Sequence, residues 1–518
     1  MDEKIPASEH ARQQDVFRFV AAPASHGGAK VRQIDTHGAA VFLAGDRALK
    51  IKRAVRFPFL DYSTLERRKA ACERELEVNR RFAPQIYRRV VPITRSAAGE
   101  LQIGGEGEPL EWAVEMKRFD ESLTIDQLAS DQPLSPVLID AISDAIAASH
   151  GAAPRAKTAT WIASLLPIIA DNTASFVAAG FSAGAVAALD GNTRAAFERV
   201  RPLLEQRGAL GYVRWCHGDL HLANIVLIDG KPVLFDAIEF DPAIASVDLL
   251  YDLAFPMMDL IQHGRTQAAA ELLNRYLATG DDAHVDALGA LPLLMSLRAA
   301  VRAKVTLSRA SEDPEAARVN RQTAASYFAL AGRLIDPPPA RLIAVGGVSG
   351  TGKSVLARAL AGSVLPLPGA VVLRSDVIRK KLFGAVETER LPAAAYEPKA
   401  TAEVYRNLGE RAAHVVAQGH SAIVDAVFAK ADERAAVEAV ARAIGVDVSG
   451  LYLVADLHIR IARVAHRVGD ASDATPEIVR QQQAYETGTI AWTTIDASGS
   501  PEESLNRAVT ALKLGDQG

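Results

Sequence analysis

The run of residues with the clearest chemical meaning is GVSGTGKS, at positions 347–354. Its spacing, G-x-x-x-x-G-K-[ST], is typical of a loop whose backbone N–H groups surround the phosphates of a nucleotide. Glycine suits such a loop because a Cβ would obstruct the phosphate. An apolar strand pattern precedes the run and a helical pattern follows, so a helix N-terminus would add partial positive charge. The predicted phosphate-binding residues are Gly347, Ser349, Gly350, Thr351, Gly352, Lys353 and Ser354.

Side chains at the end of this loop have further expected roles. Lys353 is expected to neutralise the β- and γ-phosphates, and Ser354 to ligate Mg²⁺. The later segment SAIVDAVF ends a strand pattern at Asp425. That carboxylate is either a second oxygen donor to the Mg²⁺ or a contact to the substrate.

A candidate acceptor acid lies in the segment VVLRSDVIRKKLFG. Asp376 follows a strand pattern, and Arg379 lies three residues later on the same face of the next helix. A carboxylate beside the phosphates can orient or deprotonate an acceptor hydroxyl, and a guanidinium can hold an anion. The alternative is an acid favoured by the helix N-terminus and an arginine on a solvated surface.

Three arginines at helical spacing follow in HIRIARVAHRVGDASDA: Arg460, Arg463 and Arg467. On a mobile lid they could close over the ATP phosphates and stabilise charge in the transition state. For any single arginine, a basic solvated helix face explains the pattern equally well. The cluster favours the lid.

A second constellation, H-G-D-x-x-x-x-N, occurs in the segment WCHGDLHLAN. Asp219 and Asn224 have the separation of a catalytic acid and a metal-binding amide in phosphoryl transfer. Asp236 ends an apolar strand pattern in VLFDAIEFD and is the expected second ligand of Mg²⁺. His217 is expected to brace the loop rather than to transfer protons.

The ATP side of this second constellation lies near the N-terminus. Lys50 is on the second strand of a predicted hairpin that turns at Gly45-Asp46, where a lysine can hold the α- and β-phosphates. Lys52 shares its face of the strand and remains a rival. In the charged helix ERRKAACERELEVNRRFAP, Glu75 is the expected partner of the lysine, with Glu73 second.

The elements that position these residues divide into two sets. Three prolines after Asp336 cannot continue the helical pattern of residues 316–335, so we place a linker at 336–340 between domains 1–335 and 341–518. After the linker, strands near 342–346, 370–374, 421–425 and 449–454 alternate with helices, which predicts an α/β domain with a parallel sheet. Before it, strand-like pieces precede a mostly helical region, interrupted by strands near 213–240.

With these motifs in view, residues 341–510 resemble the P-loop small-molecule kinases, an AAA-type nucleotide-binding fold. This resemblance implies that Asp376 is the acceptor-site acid and that Arg463 and Arg467 are lid arginines. Residues 30–330 resemble the aminoglycoside phosphotransferase-like kinases, an α+β protein-kinase-like fold. That second resemblance implies Lys50 as the ATP lysine, Glu75 as its partner, Asp219 as the base, and Asn224 and Asp236 as metal ligands.

The resemblance also has departures and open points. The stretch THGAAVFL lacks a glycine-rich phosphate loop, so the covering of ATP differs from the family pattern. The basic residues Arg298, Arg302 and Lys304 could face an anionic substrate, although a solvated helix face is the favoured interpretation. The pairing of both modules resembles bacterial proteins described as bifunctional aminoglycoside-phosphotransferase-like and ATP-binding proteins.

Composition narrows the class of partner. The 518 residues carry a net charge of −4, which gives no support for bulk attraction to nucleic acid. The sequence shows no run of eighteen apolar residues, no secretory signal and only two cysteines, which together favour a cytoplasmic protein with small-molecule partners.

The resulting expectation is a phosphotransferase that uses ATP and Mg²⁺ at both sites to phosphorylate hydroxyl groups of small metabolites. The alternative is one active kinase domain with the other acting as a nucleotide-binding regulatory module. A third interpretation, a kinase directed at a toxin target or nucleic acid, rests only on analogy between P-loop proteins.

Overall fold

The described residues from Ala7 to Lys117 form a small lobe around an antiparallel sheet. The structure, a computed structural model, describes residues 7–57, 60–308, 313–466 and 470–514. The elements of this lobe are α1 (Ala7–Ala21), β1 (Val31–Asp35), β2 (Ala39–Ala44), β3 (Arg47–Lys52), β4 (Arg56–Phe57), β5 (Leu60–Asp61), α2 (Leu65–Asn79), β6 (Tyr87–Arg95), β7 (Leu101–Ile103) and β8 (Glu108–Lys117).

Six of these strands make one sheet in the order β1-β2-β3-β8-β6-β7. The predicted hairpin at Gly45-Asp46 is present: β2 and β3 pair in antiparallel register, and Gly45 has the positive φ of 58° that the turn needs. Thr64 caps α2 through its hydroxyl, so this helix begins beside the sheet with its buried face against β8. The small lobe thereby carries Lys50 and Glu75 on adjacent elements.

A mostly helical large lobe follows, and it carries the second motif in the loop between two short strands, Val213–Trp215 and Ile225–Ile228. Its elements are α3 (Ile125–Asp131), α4 (Pro136–Ala152), α5 (Thr158–Ala178), α6 (Ala183–Leu210), β9 (Val213–Trp215), β10 (Ile225–Ile228), β11 (Lys231–Leu234), α7 (Pro242–Ala245), β12 (Ser246–Asp248), α8 (Leu249–Gln262), α9 (Thr266–Thr279), α10 (Leu291–Leu307) and α11 (Pro314–Ile335). The strands predicted near 213–240 are β9, β10 and β11.

The C-terminal part has a parallel sheet covered by helices. Its elements are β13 (Leu342–Gly346), α12 (Lys353–Ala361), β14 (Val371–Arg374), α13 (Ser375–Leu382), α14 (Pro398–Ala417), β15 (Ala422–Asp425), α15 (Ala431–Ala443), β16 (Val448–Val454), α16 (Leu457–Ala465), α17 (Pro476–Gln481), β17 (Thr493–Asp496) and α18 (Pro501–Ala511). The strand order is β14-β15-β13-β16-β17, with every pairing parallel. The predicted α/β fold is confirmed, with β17 as an additional edge strand.

The proline segment connects the large lobe to the C-terminal part of the chain, and these two parts are in contact with each other. Helix α11 ends at Ile335 and β13 begins at Leu342, so the prolines fall where the sequence places the linker. One hydrophobic core runs from the large lobe into the C-terminal sheet and joins Leu334 and Ile335 to Leu342 and Val371. The segment between α11 and β13 is therefore short, and a shared hydrophobic core joins the parts of the chain on either side of it.

Two helices are long and apolar enough to cross a membrane by length and composition alone: Thr158–Ala178 and Asp282–Leu307. Of the most apolar stretch of the second, 78% is buried inside the protein, and of the first 33%. Core helices of water-soluble proteins pass the same test, so this finding is weak evidence for a membrane span.

Candidate active sites

The first site begins with an ion pair that joins the two lobes. Lys50 Nζ on β3 lies 2.6 Å from Asp236 Oδ1 in the large lobe and 2.8 Å from Glu75 Oε1 on α2. Burial opposes the charged ammonium, but Asp236 and Glu75 outweigh it and hold the pKa of Lys50 well above its ordinary value. The predicted lysine and both predicted acids are thus brought together.

Glu75 also contacts the rival lysine. Lys52 Nζ lies 2.5 Å from Glu75 Oε2 and 2.6 Å from Glu239 Oε1. Burial would raise the pKa of the Glu75 carboxyl, but the two lysines overcome it and lower that pKa to about 2. Glu73, the second choice, is exposed and pairs with Lys69. The sequence left Lys50 and Lys52 as alternative partners of Glu75, and in the structure Glu75 contacts both.

The loop with the candidate base lies in the large lobe, between β9 and β10. Asn224 Nδ2 donates to the Asp219 backbone oxygen at 2.8 Å and lies 3.3 Å from its carboxylate. His221 Nε2 is 3.5 Å from Asp219 Oδ2. Burial opposes ionisation of Asp219, but His221 and Arg302 lower the pKa of its carboxyl below the ordinary range. Because 42% of the Asp219 side chain is exposed, a hydroxyl group can reach it.

A buried carboxylate braces this loop from below. Asp252 on α8 accepts hydrogen bonds from the backbone N–H groups of His217 and Gly218, at 3.2 and 2.9 Å. Within the described part of the chain, Asp252, His150 and Cys216 are a buried group of side chains that could hold a metal ion. The Asp252 oxygens are already used by the loop and by His150, at 3.3 Å. This arrangement is a structural support for the loop.

His217 has the bracing role expected of it. Its ring lies fully buried, and Nε2 is 2.9 Å from the Phe235 carbonyl oxygen, next to Asp236. Burial lowers the pKa of His217, which favours the neutral ring. The histidine therefore ties the loop of Asp219 to the strand end that carries Asp236.

The backbone at Asp236 is held in an unusual conformation. Its φ is +60°, a left-handed value that few residues other than glycine adopt, and its N–H donates to the Tyr87 hydroxyl at 3.2 Å. Such strain of about 1–3 kcal/mol persists where the surrounding contacts impose it, often at functional sites. Here it turns the carboxylate toward Lys50.

Two basic residues of α10 lie under the same loop, which corrects the expectation of a solvated helix face. Arg298 is buried; it donates to the Gly218 oxygen at 3.1 Å and stacks on Tyr251. Arg302 is half-buried, and its positive charge helps to lower the pKa of the Asp219 carboxyl. Lys304 pairs with Asp171 near the surface, as expected of a solvated residue.

The donor set of the first site suits a hard cation. Asp219, Asn224 and Asp236 supply carboxylate and amide oxygens, which are the atoms that Mg²⁺ prefers. Since the Asn224 nitrogen already bonds to Asp219, its amide oxygen is the atom it would offer. The backbone of Asn224 also bonds to Phe235, so Asn224 and Asp236 are held near each other.

The second site is built on the glycine-rich loop between β13 and α12. Gly347, Gly350 and Gly352 all have positive φ values, of 137°, 83° and 92°. A Cβ at Gly350 would lie 2.6 Å from the Arg460 carbonyl oxygen, so glycine is required there. Lys353 Nζ donates to the Val348 oxygen across the loop at 3.3 Å. The backbone has the strand–loop–helix arrangement that the sequence predicts, with β13 before the glycine-rich loop and α12 after it.

Ser354 and Asp425 meet at the base of this loop. The Ser354 hydroxyl donates to Asp425 Oδ2 at 2.5 Å, which joins the first turn of α12 to the end of β15. A hydroxyl and a carboxylate at this separation form an all-oxygen pair that fits Mg²⁺. Asp425 is buried, and Arg374 lies 3.6 Å away.

Ser349 is anchored through both of its backbone polar groups. Its N–H donates to Gln482 Oε1 at 2.7 Å, and its oxygen accepts from Arg460 Nε at 2.9 Å. The Ser349 amide can therefore reach a phosphate only after Gln482 moves. Arg460 is buried on α16 and is bound to the loop by this hydrogen bond, so it does not lie on a mobile lid as the sequence analysis expects.

The candidate acceptor acid, Asp376, lies at the start of α13 and faces the same cavity as the loop. Burial and the negative charge of Asp425 raise the pKa of Asp376, against the attraction of Lys353 and Arg374. Arg374 also pairs with Asp470 at 2.9 Å. The carboxylates of Asp376 and Asp425 thus lie close to Lys353 and Arg374 at this site.

The remaining predicted arginines have different surroundings. Arg379 is buried rather than solvated; it donates to the Ala395 oxygen and lies over the Tyr396 ring at 4.9 Å. Arg463 donates to the Gly499 oxygen at 2.8 Å and lies beside Gly352 of the loop. Arg467 lies outside the described residues.

A cavity of about 1920 Å³ connects the phosphate loop to the rest of this site. Lys353, Ser354, Asp376, Asp425 and Arg463 all line it. Helices α14 and α15 also contribute to the lining, with apolar and aromatic side chains such as Tyr405 and Val437 and with charged ones such as Arg406 and Glu433. The cavity therefore offers both charged and apolar groups to a bound molecule.

Comparison with known proteins assigns the chain to a family. The family model described as the phosphotransferase enzyme family matches residues 33–288, and that of an AAA domain matches residues 342–487. An uncharacterized protein of Mycobacterium bovis and one of Mycobacterium tuberculosis are each 30% identical over 491 residues, covering 92% of this chain and 94% of theirs. The chain belongs to the phosphotransferase enzyme family, with an AAA domain joined to it. This phosphotransferase is a kinase.

Solved structures similar to this phosphotransferase include two kinases. A sugar kinase from Janibacter sp. is 23% identical, with 34% of this chain and 96% of that chain covered and a TM-score of 0.28. A choline/ethanolamine kinase family protein from Mesorhizobium loti is 15% identical, with 62% and 99% covered and a TM-score of 0.37.

Several residues of both sites escaped the sequence analysis of this phosphotransferase. Glu239 lies three residues beyond Asp236, and Arg374 two residues before Asp376, so each was within a quoted motif without being assigned a role. Gln482 and Tyr87 are remote in sequence and carry no spacing signal. Only the folded chain brings such residues to the site.

Proposed function

We propose that this kinase transfers the γ-phosphoryl group of ATP to hydroxyl groups of small metabolites at two separate sites. The observation that carries the proposal is a repeated arrangement: in each domain a lysine and acidic side chains from separate elements converge, at Lys50 and at Lys353. Phosphoryl transfer requires little more of a protein than such positioned charge.

At the first site, Lys50 holds the α- and β-phosphates, and Asp219 receives the acceptor. The acceptor oxygen attacks the γ-phosphorus, the bond from that phosphorus to the bridging oxygen breaks, and ADP leaves. The hydroxyl proton passes to the Asp219 carboxylate. A lowered pKa keeps Asp219 ionised, so it orients the hydroxyl from the start of the reaction.

At the second site, the glycine-rich loop binds the phosphates, and Lys353 and Arg463 balance charge on the transferring group. Asp376 takes the proton of the acceptor hydroxyl while the acceptor oxygen bonds to the γ-phosphorus, the bond from that phosphorus to the bridging oxygen breaks, and ADP leaves. Its raised pKa makes it the stronger base of the two aspartates.

Magnesium supplies charge neutralisation at the phosphates when bound. Asn224 and Asp236 would hold it in the first domain, and Ser354 and Asp425 in the second, as the oxygen donor sets allow. We propose the cytoplasm, where ATP is available, as the compartment; the buried free thiols of Cys72 and Cys216 agree with a reducing environment.

A screen of ATP consumption tests this function. Candidate acceptors are sugars, amino alcohols, nucleosides and aminoglycosides, each offered to the wild type, Asp219→Ala and Lys353→Ala. We expect two groups of acceptors, one lost in each variant, because the two sites differ in their acceptor pockets. If Lys353→Ala alters only the regulation of a single activity, the C-terminal domain is a nucleotide-responsive switch. If neither variant loses any activity, the proposed sites are wrong.

A further inference from the structure

One face of α9, a helix of the first domain, forms a wall of the second domain. Gln267, Ala270 and Asn274 are three and four residues apart and share that face. Ala270 is fully buried within the hydrophobic core of the C-terminal sheet, among Ile343, Leu360 and Ala361. The first domain therefore contributes a residue to the core of the second.

Asn274 occupies the open edge of the parallel sheet. β14 is an edge strand, whose outer backbone groups lack a neighbouring strand. Asn274 Nδ2 donates to the Ala370 oxygen at 2.9 Å, and Asn274 Oδ1 accepts from the Val372 N–H at 2.8 Å. One side-chain amide thus pairs with β14 as a strand backbone would.

The orientation of this amide is fixed by its other contact. Asn274 Nδ2 also donates to the Ala270 oxygen of its own helix, at 2.8 Å. A reversed amide would place its oxygen against two carbonyl oxygens, those of Ala270 and Ala370. The observed hydrogen bonds are therefore specific to asparagine.

Gln267 makes the corresponding contact with α12, the helix of the phosphate loop. Its Nε2 donates to the Arg358 oxygen at 2.8 Å, and its Oε1 accepts from the Gly362 N–H at 3.0 Å. Nε2 also contacts Glu271 Oε1 at 2.9 Å, so both atoms of this amide are in use.

The backbone of α9 also approaches the backbone of the second domain closely, at Gly362 and at Gly369. A Cβ on Gly362 would lie 2.4 Å from the Gln267 Cα, and a Cβ on Gly369 would lie 2.7 Å from the Ala270 Cβ. Gly369 also has a φ of 136°, which other residues rarely adopt. Glycine at these two positions lets α9 pack directly on the second domain.

The two elements held by α9 are those that carry the chemistry of the second site. β14 leads within two residues from Val372 to Arg374, and then to Asp376. α12 begins at Lys353 and Ser354. A shift of either element moves the acid relative to the phosphates, and displacements of about 1 Å can cost about 100-fold in rate.

We propose that Asn274 and Gln267 of the first domain are positioning residues for phosphoryl transfer at the second. Through β14, Asn274 sets the place of Asp376; through α12, Gln267 sets the place of the phosphate loop. This inference rests on the proposed activity of the second site.

The test uses the full chain with Asp219→Ala, so that phosphate release from Mg·ATP, with water as acceptor, reports the second site. Asn274→Asp keeps the shape of the side chain but sets a carboxylate oxygen against the Ala370 oxygen. We expect kcat to fall about 10- to 100-fold while the KM for ATP stays within about twofold, since the loop itself is intact. Hydrogen exchange at residues 370–376 should become faster.

A second variant and a matched control separate positioning from general damage. Gln267→Ala should lower the same kcat without carrying a new charge. Arg411→Gln removes an ion pair to Asp282, 2.7 Å long, at the same domain interface but on α14; its kcat should equal that of the Asp219→Ala parent.

The failures can be told apart. Equal kcat in the parent, Asn274→Asp and Gln267→Ala would overturn the inference alone. If the parent releases no more phosphate than a chain that also carries Lys353→Ala, the proposed second activity is wrong, and this inference falls with it.

Discussion

At the scale of single residues, the first site depends on a buried charge cluster around Glu75. The glutamate is fully buried and touches Lys50 and Lys52, while Asp236 and Glu239 complete the balance. Buried charges are tolerated only when paired, and the loss of one partner leaves the others uncompensated. The same cluster therefore stabilises the small lobe and, in the proposed function, holds the lysine that binds ATP.

Replacing Glu75 by glutamine should lower the free energy of unfolding by about 3–5 kcal/mol at neutral pH. The pKa of Glu75 is lowered to about 2 in the folded protein from an ordinary value of 4.5. The difference from wild type should thus be complete above pH 4.5 and shrink as the pH falls toward 2. Denaturant unfolding over this pH series measures it. Glu73→Gln, exposed on the same helix, is the control; an equal effect there would contradict the account.

The two aspartates should give the sites different pH dependences. A general base must be ionised, and the pKa of Asp376 is raised whereas that of Asp219 is lowered. The rate of the second site, measured in Asp219→Ala, should therefore rise at a higher pH than that of the first, measured in Lys353→Ala. Initial rates across a pH series test this order. The reverse order would mean that one aspartate has another role.

Motif spacing predicted the individual groups better than their partners. Asp219 and Asn224 are found side by side because one short loop holds both. The meeting of Lys50, Glu75 and Asp236 joins three separate elements, and the family resemblance, not local spacing, implied it. The contact of Gln482 with the phosphate loop depends on a long-range approach that no local pattern encodes. The buried positions of Arg298 and Arg379 were likewise missed, because a charged side chain gives no sequence signal of burial.

Among the secondary-structure elements, the strands themselves were easier to predict from the sequence than the elements that pack against them. The hairpin of β2 and β3 and four strands of the parallel sheet follow from apolar runs and turn residues. β17 was missed: of its four residues TTID, only Ile495 is buried, so its pattern is weak. The packing of α9 on the C-terminal sheet crosses a domain boundary, which periodicity cannot reveal.

The close packing of α9 on α12 predicts a size limit at Gly362. Gly362→Ala places a methyl group where the Gln267 backbone lies, so the midpoint of thermal unfolding should fall, with a cost of about 1–3 kcal/mol. Gly191→Ala is the matched control, in the exposed middle of α6 with open space around it, and should stabilise by about 0.5–1 kcal/mol. Calorimetry compares the two. Stabilisation by Gly362→Ala would show that the interface is looser than described.

At the scale of the whole molecule, two kinase-type domains share one continuous core and a network of interface contacts. Gln418 Nε2 donates to the Val285 oxygen at 2.8 Å, and His414 lies 2.8 Å from Asp286. The sequence predicts a domain boundary at residues 336–340, from three prolines and a change of periodicity, and this segment lies between the end of α11 and the start of β13. It did not predict that the two parts pack together, because the residues that make these contacts, such as Gln418 and Val285, are far apart in sequence.

The proposed function requires that each domain bind its own molecule of ATP. Equilibrium titration with a non-hydrolysable ATP analogue and Mg²⁺ tests it most directly, in the wild type, in Lys353→Ala and in Asp236→Asn, which keeps the shape of a side chain that is 43% exposed. We expect two molecules bound per wild-type chain and one per chain in each variant. A single molecule bound by the wild type, or loss of all binding in one variant, would contradict it.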